Sequence, residues 1–222
     1  MRALFRRKLV RRVGVPLAVL VVLLVAAELI LRAVAANVAA AELTDAFHLS
    51  REPDVSIGGF PFVVQALTGH LSSVTVKDHD FRASGGVSIH EMELTLHGVR
   101  FSSGQLLRRR TGTITADRAD GNAMLTGPNI TAALQARGTN VNVRFAGGKV
   151  LLTSPSFPGT LTAKVTLDGR TLTIRPEGTV VTQTLSIVLP EIVNGLDYSR
   201  ARVVGSVAVV DVRADHPTFR VG

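Results

Sequence analysis

A long apolar run near the N-terminus constrains the structure of this chain more than any other feature. The first 12 residues carry six basic side chains and no acid, and the uncharged, strongly apolar stretch Val13 to Ala27 follows them. Apolar residues continue after one acid, Glu28, so that residues 13–32 reach the roughly 20 residues that a membrane-spanning helix needs. The sequence therefore predicts a helix that crosses a membrane.

The charges on either side of this run predict its orientation. Basic residues next to a membrane segment are retained in the cytoplasm, so residues 1–12 are predicted to be a cytoplasmic basic segment and residues 13–32 a transmembrane or signal-anchor helix. Residues 33–222 then form an extracytoplasmic domain of the cell envelope. Ala33-Val34-Ala35 has the small side chains of a signal-peptide cleavage site, which leaves two alternatives: a retained anchor, or release by cleavage near Ala35.

The overall charge excludes some classes of function. The net charge is +8, but without the six basic residues at the N-terminus only 19 basic and 17 acidic residues remain. A nucleic-acid-binding domain would keep its basic surplus on the folded part, so nucleic acid is not expected as a partner. The chain has no cysteine, which excludes disulfide bonds, thiol catalysis and cysteine metal sites.

Most of the exported part has the alternating pattern of β-strands. Val74 and Val76 alternate with polar neighbours, and the stretch "TLTAKVTLDGRTLTIRP" predicts a hairpin that turns at Asp168-Gly169. Gly147-Gly148 predicts a second hairpin, and Val203 to Val212 predicts one further strand. A switch of parity near His90-Glu91 predicts a β-bulge. These patterns together give about seven to nine strands.

A few short helices interrupt the strands. Residues 33–49 have helical spacing and should continue the membrane helix, with Ala39, Leu43, Ala46 and Phe47 packing on the domain. Residues 61–68 predict a short helix that ends at Gly69, and a third helix precedes Gly138. In "LSIVLPEIVNGL", Pro190 permits a helix on one side of itself only. We predict an α+β fold: an N-terminal membrane helix followed by a strongly curved antiparallel β-sheet wrapped around helices.

Two clusters of titratable residues are candidate sites of catalysis. Asp78-His79-Asp80 and His90-Glu91-Met92-Glu93 bring imidazole and carboxylate groups together in the sequence, and Asp78 and Asp80 are expected to share one strand face. No nucleophile elbow, phosphate loop or zinc motif is present. We therefore predict no enzymatic activity, no metal and no cofactor. The alternative is a lipid- or glycan-active enzyme that uses Asp78, Asp80, Glu91 or Glu93 as acid and base.

The apolar residues leave two further possibilities open. A curved sheet on helices either packs solid, as in a scaffold protein, or encloses a channel for lipid. Arg108, Arg109 and Arg110 form a basic triplet, which fits either a solvated loop that protects a sheet edge or a contact with anionic lipid headgroups.

The stretch "VSIGGFPFVVQALTGHLSSVTV" resembles the signature of the LmeA-like phospholipid-binding family of exported actinobacterial proteins. The likeness rests on Gly59-Phe60-Pro61-Phe62, the leucine-containing segment Val63 to Leu67, Gly69, and Val74-Thr75-Val76. The hairpin sequence "LDGRTLTIRP", the step Leu189-Pro190 and the valine-rich end of the chain are also similar.

The resemblance implies a fold like that of the tubular lipid-binding proteins. It implies binding of anionic phospholipids such as phosphatidylinositol and its mannosides, a role in lipoglycan maintenance or lipid transfer in the mycobacterial envelope, and no catalytic residues. Phospholipid and membrane are the expected partners, and no protein partner is assigned. Pro61 is expected to be the first residue of the short helix. The residues predicted to contact acyl chains are Phe60, Phe62, Val63, Leu67, Val74, Val76, Leu94, Leu96, Ile130 and Leu134.

Overall fold

The computed structural model describes residues 2–47, 49, 51–82, 88–102, 112–178, 184–189 and 195–221. Three helices lie in these ranges: α1 (Arg2–Phe47), α2 (Phe62–Thr68) and α3 (Gly127–Gln135). Thirteen strands accompany them: β1 (Asp54–Gly58), β2 (His70–Arg82), β3 (Ser88–Arg100), β4 (Gly112–Thr115), β5 (Arg118–Thr126), β6 (Asn142–Ala146), β7 (Lys149–Ser154), β8 (Phe157–Asp168), β9 (Thr171–Pro176), β10 (Leu185–Val188), β11 (Asp197–Val204), β12 (Val207–Asp215) and β13 (Thr218–Val221).

The strands form two antiparallel sheets. The eight-stranded sheet has the order β1-β2-β3-β5-β12-β11, with β4 pairing with both β3 and β13, and the five-stranded sheet has the order β10-β9-β8-β7-β6. This arrangement confirms an α+β chain with an N-terminal apolar helix and antiparallel sheets. The prediction of a single sheet is wrong, because the described strands divide between two. Strong curvature around the helices stays a prediction.

One face of the eight-stranded sheet, which we call the inner face, is apolar from edge to edge. A row across five strand pairs shows this, since partners in register lie on the same face. The row comprises Val55, Val76, Leu94, Gly121, Val212 and Tyr198. The opposite face is polar and carries ion pairs such as Lys77 Nζ to Glu93 Oε2 at 3.3 Å and Arg213 Nε to Asp120 Oδ1 at 3.3 Å. The alternation of apolar and polar residues along each strand thus directs one face of the sheet to the core and the other to solvent.

Two hydrophobic clusters cover different parts of the inner face. The larger one lies between this sheet, α3 and the five-stranded sheet, and Ile130 and Leu134 of α3 are fully buried in it. The smaller one lies under α1 and α2 and includes Ala36, Ala40 and Phe62. The predicted helix before Gly138 is confirmed as α3, which begins after Thr126, whose hydroxyl accepts a hydrogen bond from Asn129 N.

The N-terminal helix runs without a break from the apolar segment into the domain. Residues Leu17–Asp45 of α1 are long and apolar enough to cross a membrane. The predicted continuation through residues 33–47 is confirmed, and Ala39 and Leu43 pack against the smaller cluster as expected. The side chains of Ala46 and Phe47 lie outside the described part of the chain. Assignment of residues 1–12, 13–32 and 33–222 to three compartments stays a prediction.

The predicted hairpins are present, with corrections to two turns. Gly147-Gly148 joins β6 to β7 as predicted. The β8–β9 turn is Gly169-Arg170, one residue later than predicted, because Asp168 still pairs with Thr171. The predicted strand Val203 to Val212 is wrong: Gly205 has a φ of 59° and lies in a turn that separates β11 from β12. The number of strands also exceeds the predicted seven to nine.

The predicted bulge near His90-Glu91 has a different form in the structure. Asp80 of β2 has a φ of 59°, and the pairs on either side of it, His79 with Glu91 and Phe81 with Ile89, keep the same register. Neither strand gains a residue, so this is not a bulge with two residues opposite one. The change of buried parity from Ile89 to Met92 is nevertheless as the sequence predicted.

A glycine in the middle of the inner face permits close approach of β3 and β5. A Cβ atom on Gly121 would lie 2.3 Å from the Glu93 carbonyl oxygen, which is backbone and cannot move aside. We expect Gly121→Ala to lower the free energy of unfolding by about 1–3 kcal/mol, the range for overpacking. Gly58→Ala is the matched control, because the atom that it would meet at 2.3 Å is the rotatable hydroxyl of Ser73. If chemical denaturation showed that the two variants lose the same free energy of unfolding, this explanation would be contradicted.

Candidate functional site

The Gly-Phe-Pro-Phe segment forms the start of α2. Pro61 is the N-cap, with φ −76° and ψ 136°, and the Phe60–Pro61 peptide bond is cis. The expectation that Pro61 is the first helical residue is therefore wrong, since its ψ is extended and the helix begins at Phe62. Phe62 points into the smaller cluster. Gly69, with a φ of 70°, ends the helix as predicted.

An acidic residue of α1 caps α2, which has no side-chain cap of its own. The Glu28 carboxylate accepts hydrogen bonds from the backbone N–H groups of Phe62 and of Val63, the latter at 3.2 Å. Arg32, one turn later in α1, contacts Glu28 at 3.1 Å and donates to the carbonyl oxygen of Gly59. We call these contacts of Glu28 and Arg32 the α1–α2 clamp. The N-terminal N–H groups of a helix favour a nearby carboxylate, so the clamp fixes α2 against α1.

A second set of hydrogen bonds fixes the other side of α2. The Oε1 atom of Gln65 accepts from the backbone N–H of Ser72 at 2.7 Å and from the Ser72 hydroxyl at 2.9 Å. Ser72 lies at the beginning of β2, so α2 is tied both to α1 and to the eight-stranded sheet.

The two hydrophobic clusters meet on the inner face at three partly buried residues. Val74 and Val76 of β2 pack against the smaller cluster, and Leu96 of β3, the register partner of Val74, packs against both clusters. We call Val74, Val76 and Leu96 the seam. These residues point to the apolar side of the sheet, yet they are less buried than their neighbours such as Leu94. The seam is thus an incompletely covered part of the inner face where the two clusters meet.

The residues predicted to contact acyl chains occupy four different environments. Phe62 is buried under α1, and the seam residues are partly buried. Ile130 and Leu134 lie deep in the larger cluster and are packed by the protein's own side chains. Phe60 and Leu67, by contrast, are 73% and 76% exposed on the outer side of α2. The structure thus does not bring the ten residues together, and contact of each with lipid stays a prediction.

A family model described as LmeA-like phospholipid-binding matches residues 26–215, most of the chain. The chain belongs to the LmeA-like phospholipid-binding family. Comparisons with curated proteins and with solved structures found no match. Membership confirms the resemblance based on the Gly-Phe-Pro-Phe segment and supports phospholipid binding. The range matched to the LmeA-like family begins before Glu28 and Arg32, so it includes the α1–α2 clamp.

The acid and base candidates of this LmeA-like protein do not form a pair. Asp78 is buried on the inner face beyond Val76, whereas Asp80 leaves the strand conformation, is exposed and lies 3.4 Å from His90 Nδ1. The expectation that Asp78 and Asp80 share a face is therefore wrong. Glu93 lies on the polar face with Lys77. In the described ranges, no group of three or more residues is arranged to hold a metal ion.

Asp78 is a buried carboxyl group with an altered pKa. Burial raises its pKa above 3.8, and this effect outweighs the opposing hydrogen bond from the backbone of His79 and the charges of His79 and Arg51. Because the folded state holds this proton more tightly than the unfolded chain, the contribution of Asp78 to stability is greatest below pH 3.8 and is lost as the pH rises through the folded-state pKa.

We expect Asp78→Asn to stabilise the protein at neutral pH by about 1 kcal/mol, a usual size for one buried polar substitution. The gain should shrink as the pH falls, since the carboxyl group is then neutral as well. Thermal unfolding of wild type and variant from acid to neutral pH measures the difference. Asp80→Asn is the control, because that carboxylate is exposed. If the gain in stability of Asp78→Asn did not depend on pH, the raised pKa of Asp78 would be contradicted.

The predicted headgroup residues Arg108, Arg109 and Arg110 lie outside the described residues. Phe101 lies before this segment, just after the end of β3. Its backbone N–H donates a hydrogen bond to the carbonyl oxygen of Gly69 at 2.9 Å. The end of β3 thus lies beside the end of α2, and the role of the three arginines stays a prediction.

Proposed function

We propose that this member of the LmeA-like family is a membrane-anchored, extracytoplasmic phospholipid-binding protein. In this proposal, α1 holds the protein in the membrane, with the basic residues 1–12 on the cytoplasmic side. The folded part then lies outside the membrane. The exposed apolar side chains of α1, from Leu17 to Leu31, support this placement, because such a surface is compatible with lipid and not with water.

The main observation that supports the proposal is the seam, together with the membership of the chain in a phospholipid-binding family. Val74, Val76 and Leu96 present apolar surface between two clusters, and the surface is only partly covered by protein. Burial of each CH₂ group of an acyl chain contributes about 0.8 kcal/mol. A few methylene groups along the seam would therefore be sufficient for stable binding.

The α1–α2 clamp supports the retained anchor over cleavage near Ala35. Cleavage there would remove Glu28 and Arg32 together. Two N–H groups at the start of α2 would then lose their acceptor, and buried backbone groups without partners are costly. We therefore favour a protein that keeps α1, a view that N-terminal sequencing or intact mass of the native protein tests directly.

The finer parts of the proposal concern the lipid and its use. The resemblance to exported actinobacterial proteins supports anionic phospholipids such as phosphatidylinositol and its mannosides. It also supports a role in lipoglycan maintenance or lipid transfer in the cell envelope. The basic triplet Arg108 to Arg110 is the proposed headgroup contact, since each basic residue near an anionic surface contributes about 1 kcal/mol.

A scaffold without bound lipid is the second candidate. The observation that favours it is the complete burial of Ile130 and Leu134 in the larger cluster, where the protein fills its own interior. A scaffold would need no seam. Enzymatic activity on lipid or glycan is not proposed, because Asp78 on the inner face is separated by the sheet from Glu91 and Glu93 on the polar face.

Native mass spectrometry of the full chain, released from mild detergent, distinguishes the two candidates. A lipid-binding protein should carry a phospholipid-sized mass at a fixed ratio, and it should exchange that mass for added phosphatidylinositol. A well-folded protein that carries no lipid and takes up none from phosphatidylinositol vesicles would support the scaffold.

A further inference from the structure

The outer side of α2 carries an apolar surface that the proposed function has not used. Phe60, Val64 and Leu67 are 73%, 54% and 76% exposed. Val64 and Leu67 lie three positions apart and share one side of α2, and Phe60 is exposed two residues before the helix begins. We call them the outer patch. The other side of α2, with Phe62 and Ala66, packs against the smaller cluster.

The outer patch has a fixed position beside α1. The α1–α2 clamp joins the start of α2 to Glu28 and Arg32, and Gln65 joins α2 to Ser72. Helix α2 therefore cannot turn its apolar side inward without breaking hydrogen bonds at both places.

The position of the outer patch along the axis of α1 indicates which environment surrounds the patch. Helix α1 exposes apolar side chains between the two clamp residues, at Leu29 and Ile30, and beyond them at Val34 and Val38. With a rise of 1.5 Å per residue, Val38 lies about 15 Å beyond Glu28 along the helix axis. The start of α2, which the clamp holds at Glu28, thus lies at a level where α1 itself still presents apolar side chains outward.

We infer that the outer patch inserts into the outer leaflet of the bilayer, at the boundary between headgroups and acyl chains. This inference rests on the proposed role of α1 as a membrane anchor. Apolar faces of interfacial helices enter the bilayer by about 5–10 Å, and the clamp holds α2 in place for this. Insertion of Phe60, Val64 and Leu67 brings the end of the sheet that contains the beginning of β2 to the membrane surface. The seam then opens close to the lipids that it binds.

A single tryptophan placed in the outer patch tests the insertion, because the chain has no tryptophan of its own. Leu67→Trp and, independently, Val64→Trp are introduced into the full chain and reconstituted in phosphatidylcholine vesicles. The vesicles are made with and without bromine in the upper part of the acyl chains. Both sites are already exposed, so the larger ring meets no packing constraint.

Val204→Trp is the matched control. Val204 is an exposed valine that pairs with Val207, which in turn pairs with Thr126 at the last residue of β5. The α2 end of the sheet is the opposite one, where Arg118, the first residue of β5, pairs with His97. The control therefore reports an apolar site of similar exposure that is far from the proposed membrane surface.

We expect brominated lipid to lower the emission of the Leu67→Trp and Val64→Trp proteins about twofold or more, as for side chains at interfacial depth, and to leave that of Val204→Trp unchanged. The inference would be overturned if brominated lipid did not change tryptophan emission at positions 67 and 64, and if aqueous iodide quenched that emission as strongly as at position 204. Lipid binding by the same variants is measured separately, by native mass spectrometry of the protein released from mild detergent. Bound lipid without insertion refutes only this inference, whereas insertion without bound lipid refutes only the proposed function.

Discussion

Replacement of Glu28 by alanine is expected to release α2 from α1. The Glu28 carboxylate accepts the hydrogen bonds of Phe62 N and Val63 N and pairs with Arg32, and among the described residues no other side chain caps the start of α2. We expect amide hydrogen exchange in α2 to accelerate by at least about tenfold, because the helix would then open locally without unfolding of the sheets. The melting temperature of the full chain in detergent should fall by about 5 °C.

Two further variants make this result specific. Glu42→Ala removes an exposed carboxylate from the same helix, and it should leave the exchange of α2 unchanged. Glu28→Gln keeps one acceptor oxygen but loses the charge, so its exchange rates should fall between those of wild type and Glu28→Ala. If Glu28→Ala and Glu42→Ala gave the same exchange rates in α2, the α1–α2 clamp would have no role in holding that helix.

Replacement of Val76 by phenylalanine is expected to displace lipid from the seam. The phenyl ring would occupy space beside Val55 and Leu94, the register partners of Val76. If it excludes two methylene groups at about 0.8 kcal/mol each, binding of phospholipid should weaken by slightly more than tenfold. The ratio of bound phospholipid to protein, measured by mass spectrometry at equal lipid supply, reports the effect.

The control for this prediction is Val188→Phe. Val188 is an exposed valine at the end of β10, in the other sheet, and the same substitution there adds the same apolar surface without reaching the seam. Both variants keep α1, so lipid that clings to the membrane helix contributes equally. Unchanged lipid content in a folded Val76→Phe protein would show that the seam is not the binding site.

The sequence predicted the extent of α2 to within one residue because its signals are local. Gly59-Phe60-Pro61-Phe62 and Gly69 mark the two ends of α2, and burial of Phe62 follows from its place opposite the exposed side. The hairpins at Gly147-Gly148 and near Gly169 were likewise visible, since their turns need glycine in left-handed conformation.

The sequence did not reveal the role of Glu28 and Arg32. Both were assigned only to an apolar segment, while their partners at Gly59, Phe62 and Val63 lie about 30 residues later in the chain. One signal was available: an acid in an otherwise uncharged membrane segment is costly unless it is paired, and Arg32 lies four positions later on the same helix. Which element the pair would hold depends on tertiary structure.

The turn between β11 and β12 was also hidden from sequence patterns. Val203 to Val212 reads as one apolar run because β11 and β12 both contribute inner-face residues, such as Ala201 and Val210, and only Gly205 marks the turn between them. The exposure of Phe60 and Leu67 was unpredictable for a related reason. An apolar side chain has the same sequence signature whether it faces a protein core or a membrane.

Photo-cross-linking tests the central claim, which is that the seam binds an acyl chain. The full chain is reconstituted with a phospholipid that carries a photoreactive group in its acyl chain, and the modified peptides are mapped by mass spectrometry. We predict adducts at Val74, Val76 and Leu96, which unlabelled phospholipid suppresses in competition. Adducts confined to α1 and α2, with none on β2 or β3, would contradict the account.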